Sequence, residues 1–245
     1  MPRLAGNGKI IALDSSSTAT DYSVLLGGCP QYSPFNQTTG NTPSQKNRTV
    51  TLKRTPVLSS TVTYVGRKAS GNTTNTTPLM GFIGFAINGV AIYNDADAQL
   101  LDAYIQEGHT MDGCRGHADP SGTYHYHSEP GQGCVYTDTA GRHSPLFGVM
   151  LDSIPIYGAL GDGGVAPTNL DECGGHTDTA HPFYHYHVAA NLQPPYVIKC
   201  FKGCIFSANG NNASIIVGAA GSRWRALLAA LPAAAALVLF RRGVA

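Results

Sequence analysis

Polar and apolar residues alternate with period two in short stretches along much of the chain, the pattern of half-buried strands. Thr49-Val50-Thr51-Leu52 and the run Ser60 to Val65 read as strands with one apolar face. Turn-rich stretches at Gly40 to Pro43 and Lys68 to Pro78 read as loops. Residues 81–93, GFIGFAINGVAIY, predict two apolar strands joined at Asn88-Gly89 by a type I′ turn. A similar run at 147–157 has Asp152-Ser153 at the turn and Pro155 after it, which places this copy nearer a sheet edge. Ala96 to Glu107 carries a short helix, and Tyr196 to Lys199 reads as a last core strand leading into Cys200. Beyond it the pattern changes: 206–225 is a linker, and 226–240, ALLAALPAAAALVLF, is one apolar run closed by Arg241-Arg242.

One pattern occurs twice. DGCRGHADPSGTYHYH ends at His127, and DECGGHTDTAHPFYHYH ends at His187. Cys114 matches Cys173, His117 matches His176, and Asp119 matches Asp178. Upstream, GFAINGVAIYN aligns with GVMLDSIPIYG, setting Asn88 against Asp152 and Tyr93 against Tyr157. A single repetition of this length points to a duplicated half-domain rather than a solenoid.

These paired segments, DGCRGH…YHYH and DECGGH…YHYH with the preceding G-x-x-x-[ND]-x-x-x-I-Y strand, resemble the YHYH domain family over residues 80 to 205. The resemblance implies an extracellular or cell-surface protein and no particular activity. The copies differ where Gly113 and Arg115 stand against Glu172 and Gly174. The fold class expected is mainly β: an internally duplicated, β-sandwich-like domain with short helices and disulfide-tied loops. Residues 1–79 form a β-rich, Thr- and Asn-rich portion packing on the core at 80–205, whose half-repeats run about 81–134 and 145–200.

Charged residues make up 13% of the chain and the net charge is +1, about half the usual charged share. The basic residues are scattered and not interleaved with aromatics, which sets nucleic-acid binding aside. Six cysteines form an even set, suited to an oxidising compartment. The repeat pairs Cys114 with Cys134 and Cys173 with Cys200, leaving Cys29 to Cys204; Cys173 with Cys204 competes. Sequons at Asn36, Asn47, Asn72, Asn75 and Asn212 agree with a secreted glycoprotein. The first residues hold no apolar run long enough for a signal peptide, so an export signal is expected upstream. The apolar tail fits either a lipid-anchor (GPI-type) attachment signal or a short membrane span, a third option being an appendage without either role. The expected location is the cell surface, membrane-attached through this tail.

The chemistry lies in the repeated histidines. Period two puts His125 and His127 on one strand face, and His185 and His187 likewise, with Tyr124 and Tyr126 opposite. A loop returning His117 or His176 to the same face completes three neutral nitrogen ligands for copper or zinc. The candidate ligands are therefore His117, His125 and His127, and His176, His185 and His187. In an alternative arrangement the two strands face each other and share one four-histidine site. Asp119 and Asp178 are candidates to orient a ligating histidine from behind. His109, His143 and His181 lack matched partners and are expected at the surface or behind the ligands. Met111 is expected in the core. No nucleophile elbow, H-E-x-x-H or P-loop occurs. The rival expectation is a structural or adhesive protein that self-associates through strand edges, its histidines buried in hydrogen-bond networks.

Overall fold

The computed structural model describes residues 11–13, 17–32, 40–67 and 81–205. Sequons Asn36, Asn72, Asn75 and Asn212, the 206–225 linker and the 226–240 apolar run lie outside the described residues. Among the described residues no helix is long and apolar enough to cross a membrane.

The chain is mainly β. Strands β1 (Ile11–Leu13), β2 (Asp21–Leu26) and β3 (Arg48–Lys53) form an antiparallel sheet. Strand β4 (Leu58–Tyr64) pairs with β13 (Cys200–Gly203), so the last strand begins at Cys200 and not at Tyr196. Between them run β5 (Phe82–Ala86), β6 (Ala91–Tyr93), α1 (Ala103–Glu107), β7 (Gly116–Ala118) and β8 (Tyr124–Tyr126). The second half supplies β9 (Leu146–Met150), β10 (Pro155–Tyr157), β11 (Gly175–His176) and β12 (His185–His187).

The two halves lie side by side in one eight-stranded sheet of order β11-β12-β10-β9-β5-β6-β8-β7. This order is a palindrome of the repeat: β5 and β9 meet antiparallel at the centre, and each half ends on its histidine strand and a short edge strand. Pro155 therefore does not mark an edge. It occupies the first position of β10, one residue before pairing with β12 begins, where no ladder donor is needed.

Both central hairpins turn the same way. Ala86 N–H donates to Val90 O and Gly89 N–H to Ala86 O, with Gly89 at φ +80°. Met150 and Ile154 repeat this bond, as do Ser153 and Met150, with Ser153 at φ +71°. These are three-residue loops closed by a left-handed residue, not type I′ turns, because Asn88 keeps a negative φ.

One apolar cluster joins the pieces. Val24, Leu26, Val50 and Leu52 of the small sheet share it with Ile83, Ile92, Phe147, Ile156, Ile198 and Phe201. Helix α1 starts at Asp102, whose carboxylate caps Ile105 N–H and pairs with Arg67 at 2.5 Å. Arg67 also holds buried Asp95 at 3.0 Å, and Tyr196 donates to Asp102 at 2.9 Å. A five-residue helix has little stability alone; these bonds fix it beside β7 and β8.

Candidate metal centres

Each histidine cluster is built by strand register. His117 lies opposite His125 across β7 and β8, and His176 opposite His185 across β11 and β12. His127 and His187 follow two residues on, on the same face. Behind them, Asp112 accepts Cys114 and Gly116 N–H and the Tyr124 hydroxyl; Asp171 does the same for Cys173, Gly175 and Tyr184. A Cβ at Gly116 or Gly175 would overlap those tyrosine hydroxyls, so this loop needs its glycine before each histidine. The left-handed residue of the loop is Gly174 in one copy and Arg115, at φ +61°, in the other.

The ring nitrogens sort into two roles. His125 Nδ1 stands 3.0 Å from Thr123 O, and His185 Nδ1 3.0 Å from Phe183 O. His127 Nδ1 stands 2.6 Å from Asn94 O, and His187 Nδ1 2.6 Å from Gly158 O. A carbonyl only accepts, so all four rings carry their proton on Nδ1 and leave Nε2 with a lone pair. His117 Nδ1 lies 2.7 Å from Thr110 Oγ1, whose own proton goes to Glu107 O, so this ring is held the same way. His176 Nδ1 is 2.8 Å from Asn169 Oδ1. Thr110 and Asn169 each stand seven residues before their histidine.

The Nε2 atoms converge. His125 Nε2 is 3.0 Å from that of His117 and 2.9 Å from that of His127; His187 Nε2 is 3.1 Å from His176 and 3.2 Å from His185. Ligands at about 2.0–2.1 Å from a tetrahedral ion lie about 3.3 Å apart, so a few tenths of an ångström of opening suffices. Burial, then the neighbouring His127 charge, pushes His117 down to about 4. Burial first and neighbouring imidazoles second hold His125 well below its ordinary value. Burial also takes His185 to about 4 and His187 to about 3 against the opposing carbonyl bonds. These rings are neutral at physiological pH, the form that ligates metal.

Each cluster faces one carboxylate. Glu107 Oε2 on α1 stands 3.6 Å from both His117 and His127 Nε2. Asp178 Oδ2 stands 3.7 Å from His176 Nε2 and 3.8 Å from His185 Nε2. Asp178 thus lies on the Nε2 side of the rings and not behind them. Its sequence match Asp119 does neither: it accepts Ser121 and Thr123 N–H and the Tyr93 hydroxyl. Tyr93 stacks on His125 with centroids 3.9 Å apart, so Asp119 acts on the site through that ring. His143 and His181, both part-buried, join the second cluster near Asp178. His109 is exposed. The shared four-histidine arrangement is ruled out, since five strand steps separate β12 from β8, about 24 Å at the usual spacing.

Disulfides link Cys114 to Cys134 and Cys173 to Cys200, each enclosing its own histidine strand. Cys29 and Cys204 are both free, so the expected third tie is not made: Cys29 is part-buried and Cys204 exposed. The hydroxyls of Tyr124 and Tyr126 meet Tyr32, at 3.0 and 2.5 Å, on the reverse face of β8.

Residues 59–168 match the family model described as YHYH protein. The match begins within β4 and stops before His176, leaving the second histidine strand outside it. The chain matched no curated protein and no solved structure.

Proposed function

We propose that the two histidine clusters bind zinc or copper in a disulfide-bonded protein that works at the cell surface or outside the cell. One observation carries the metal reading: in each half, imidazoles with Nδ1 fixed as donor aim their Nε2 lone pairs at one another from about 3 Å. Two such nitrogens form no hydrogen bond, and lone pair facing lone pair is repulsive unless a cation lies between them. The rival reading, a purely structural hydrogen-bond network, requires a proton on one Nε2 of each trio. Burial opposes that at His117 and His125 of the first trio and at His185 and His187 of the second, His117 and His185 being lowered to about 4 and His187 to about 3. Imidazole nitrogens with one oxygen suit Zn(II) and Cu(II).

The location rests on the two disulfides and on Asn47, a sequon asparagine that is exposed as a glycan requires. A glycosylated, membrane-attached form through the 226–240 run belongs to the same reading. The direct test is elemental analysis of the full chain, purified without a histidine tag and dialysed. At least one zinc or copper ion in each half is expected, and the double change His125→Ala with His127→Ala removes the first half's share alone. A folded, oxidised protein that retains no metal after loading refutes the proposal.

A further inference from the structure

The second half presents more ligating atoms than one ion can use. His176, His185 and His187 already supply three Nε2 atoms beside Asp178. Two more imidazoles approach the same carboxylate: His143, with Nε2 3.3 Å from Asp178 Oδ2, and His181, with Nδ1 3.7 Å from Asp178 Oδ1, and both also group with His185. His143 Nδ1 donates to Ser144 O at 2.7 Å, so its Nε2 also carries a free lone pair. Among the described residues, four buried side-chain polar atoms lack a hydrogen-bond partner, and three are His143 Nε2, His181 Nδ1 and Asp178 Oδ2. Such atoms are costly to bury unmet, and their meeting at one point marks a place for a cation.

A single Nε2 lone pair serves one ion, and His185 has spent its Nδ1 on Phe183 O. Five imidazoles and a carboxylate exceed a four-coordinate shell. They divide without remainder if Asp178 is shared, because a carboxylate has two oxygens and can bridge. We propose that the second half is a two-metal centre: one ion on His176, His185 and His187, the other on His143 and His181, with Asp178 between them. The first half, with His117, His125, His127 and Glu107, holds a single ion. This rests on the metal reading given above.

The sequence difference between the halves falls where this requires. The two copies keep step from cysteine to aspartate, and the second then has one extra residue before its YHYH strand. That longer loop is the one that carries His181. Tyr157 lies against both halves of the centre, its ring 4.4 Å from His181 and 5.2 Å from His185.

The test is metal stoichiometry on the full, untagged chain loaded with Cu(II) and dialysed, with electron paramagnetic resonance to count spins. Three ions per chain are expected, one in the first half and two in the second. Two copper ions bridged by a carboxylate couple, so fewer spins than copper atoms should be seen. The double change His143→Ala with His181→Ala should leave two ions and make spins equal to copper, with circular dichroism reporting the fold. A wild-type protein holding two uncoupled ions overturns the two-metal centre and leaves the metal reading intact. A protein holding none overturns both.

Discussion

Every clustered ring except His181 is anchored through Nδ1 and offers Nε2 inward, and for the four histidines of the two YHYH strands the anchors are backbone carbonyls that the repeat duplicates. Asn94 O and Gly158 O, which hold His127 and His187, directly follow the matched Tyr93 and Tyr157. The same symmetry places Asn88 and Asp152 at the middle of the two central turns. Asn88 donates to the Tyr126 hydroxyl, whereas Asp152 accepts from Tyr186 at 2.6 Å and from Gly203 N–H at 2.9 Å. Full burial raises Asp152 from 3.8 to about 6, against those bonds. The folded state therefore binds this proton more tightly than the unfolded chain. The stabilisation is fully present below about pH 4 and lost as pH rises through about 6. Between about pH 8 and about pH 4.5, metal-free wild type should gain about 2 kcal/mol over Asp152→Asn. Denaturant melts of both proteins across that range check it, and parallel pH profiles would contradict it. The six repeated histidines were legible because period two and duplication both point to them. Glu107, His143 and His181 were not: none has a counterpart in the other copy, and only the path of α1 and two loops brings them to the site. Asp119 misled because sequence matching cannot see that its loop turns the carboxylate toward Ser121 and Tyr93.

The elements that carry the histidine clusters are short, and each depends on a neighbour. Strands β7 and β11, of three and two residues, form the sheet edges and gain rigidity from the aspartate-capped loop before them. In that loop Gly116 lets the Tyr124 hydroxyl pass to Asp112. Gly116→Ala drives a Cβ into a fully buried ring, an overpacking that should cost about 1–3 kcal/mol. A lowered denaturant midpoint with an unchanged slope is the expected result, and an unchanged midpoint would show that the loop has slack. Strands β3, β4 and the histidine strands were readable from alternation and the central hairpins from their apolar runs, whereas β1, β2, β7 and β11 are too short or too polar to show a pattern. The strand order was not readable. Pro155 suggested an edge, yet the sheet accepts it inside because pairing with β12 starts one residue later. The turn type was misjudged for a related reason: Asn88-Gly89 suits a two-residue loop, but the ladder closes at Val90 and makes Gly89 the third loop residue.

At the scale of the molecule, duplication gives two clusters at opposite ends of one sheet, each sealed by its own disulfide and carrying its own carboxylate. Loops closed over 20 and 27 residues each stabilise the fold by about 3 kcal/mol in the chain-entropy account. Both pairings follow from the repeat, while Cys29 and Cys204, which lie outside it, offered no register and are unpaired. The free thiols sharpen the central claim, since thiolate is a competing ligand for zinc and copper. X-ray absorption at the metal edge of the full, untagged chain separates the two most directly. A nitrogen and oxygen shell at about 2.0–2.1 Å, with the outer-shell scattering of imidazole, is the result expected from the histidine clusters. A sulfur shell at about 2.3 Å, or an oxygen shell without imidazole, would contradict them.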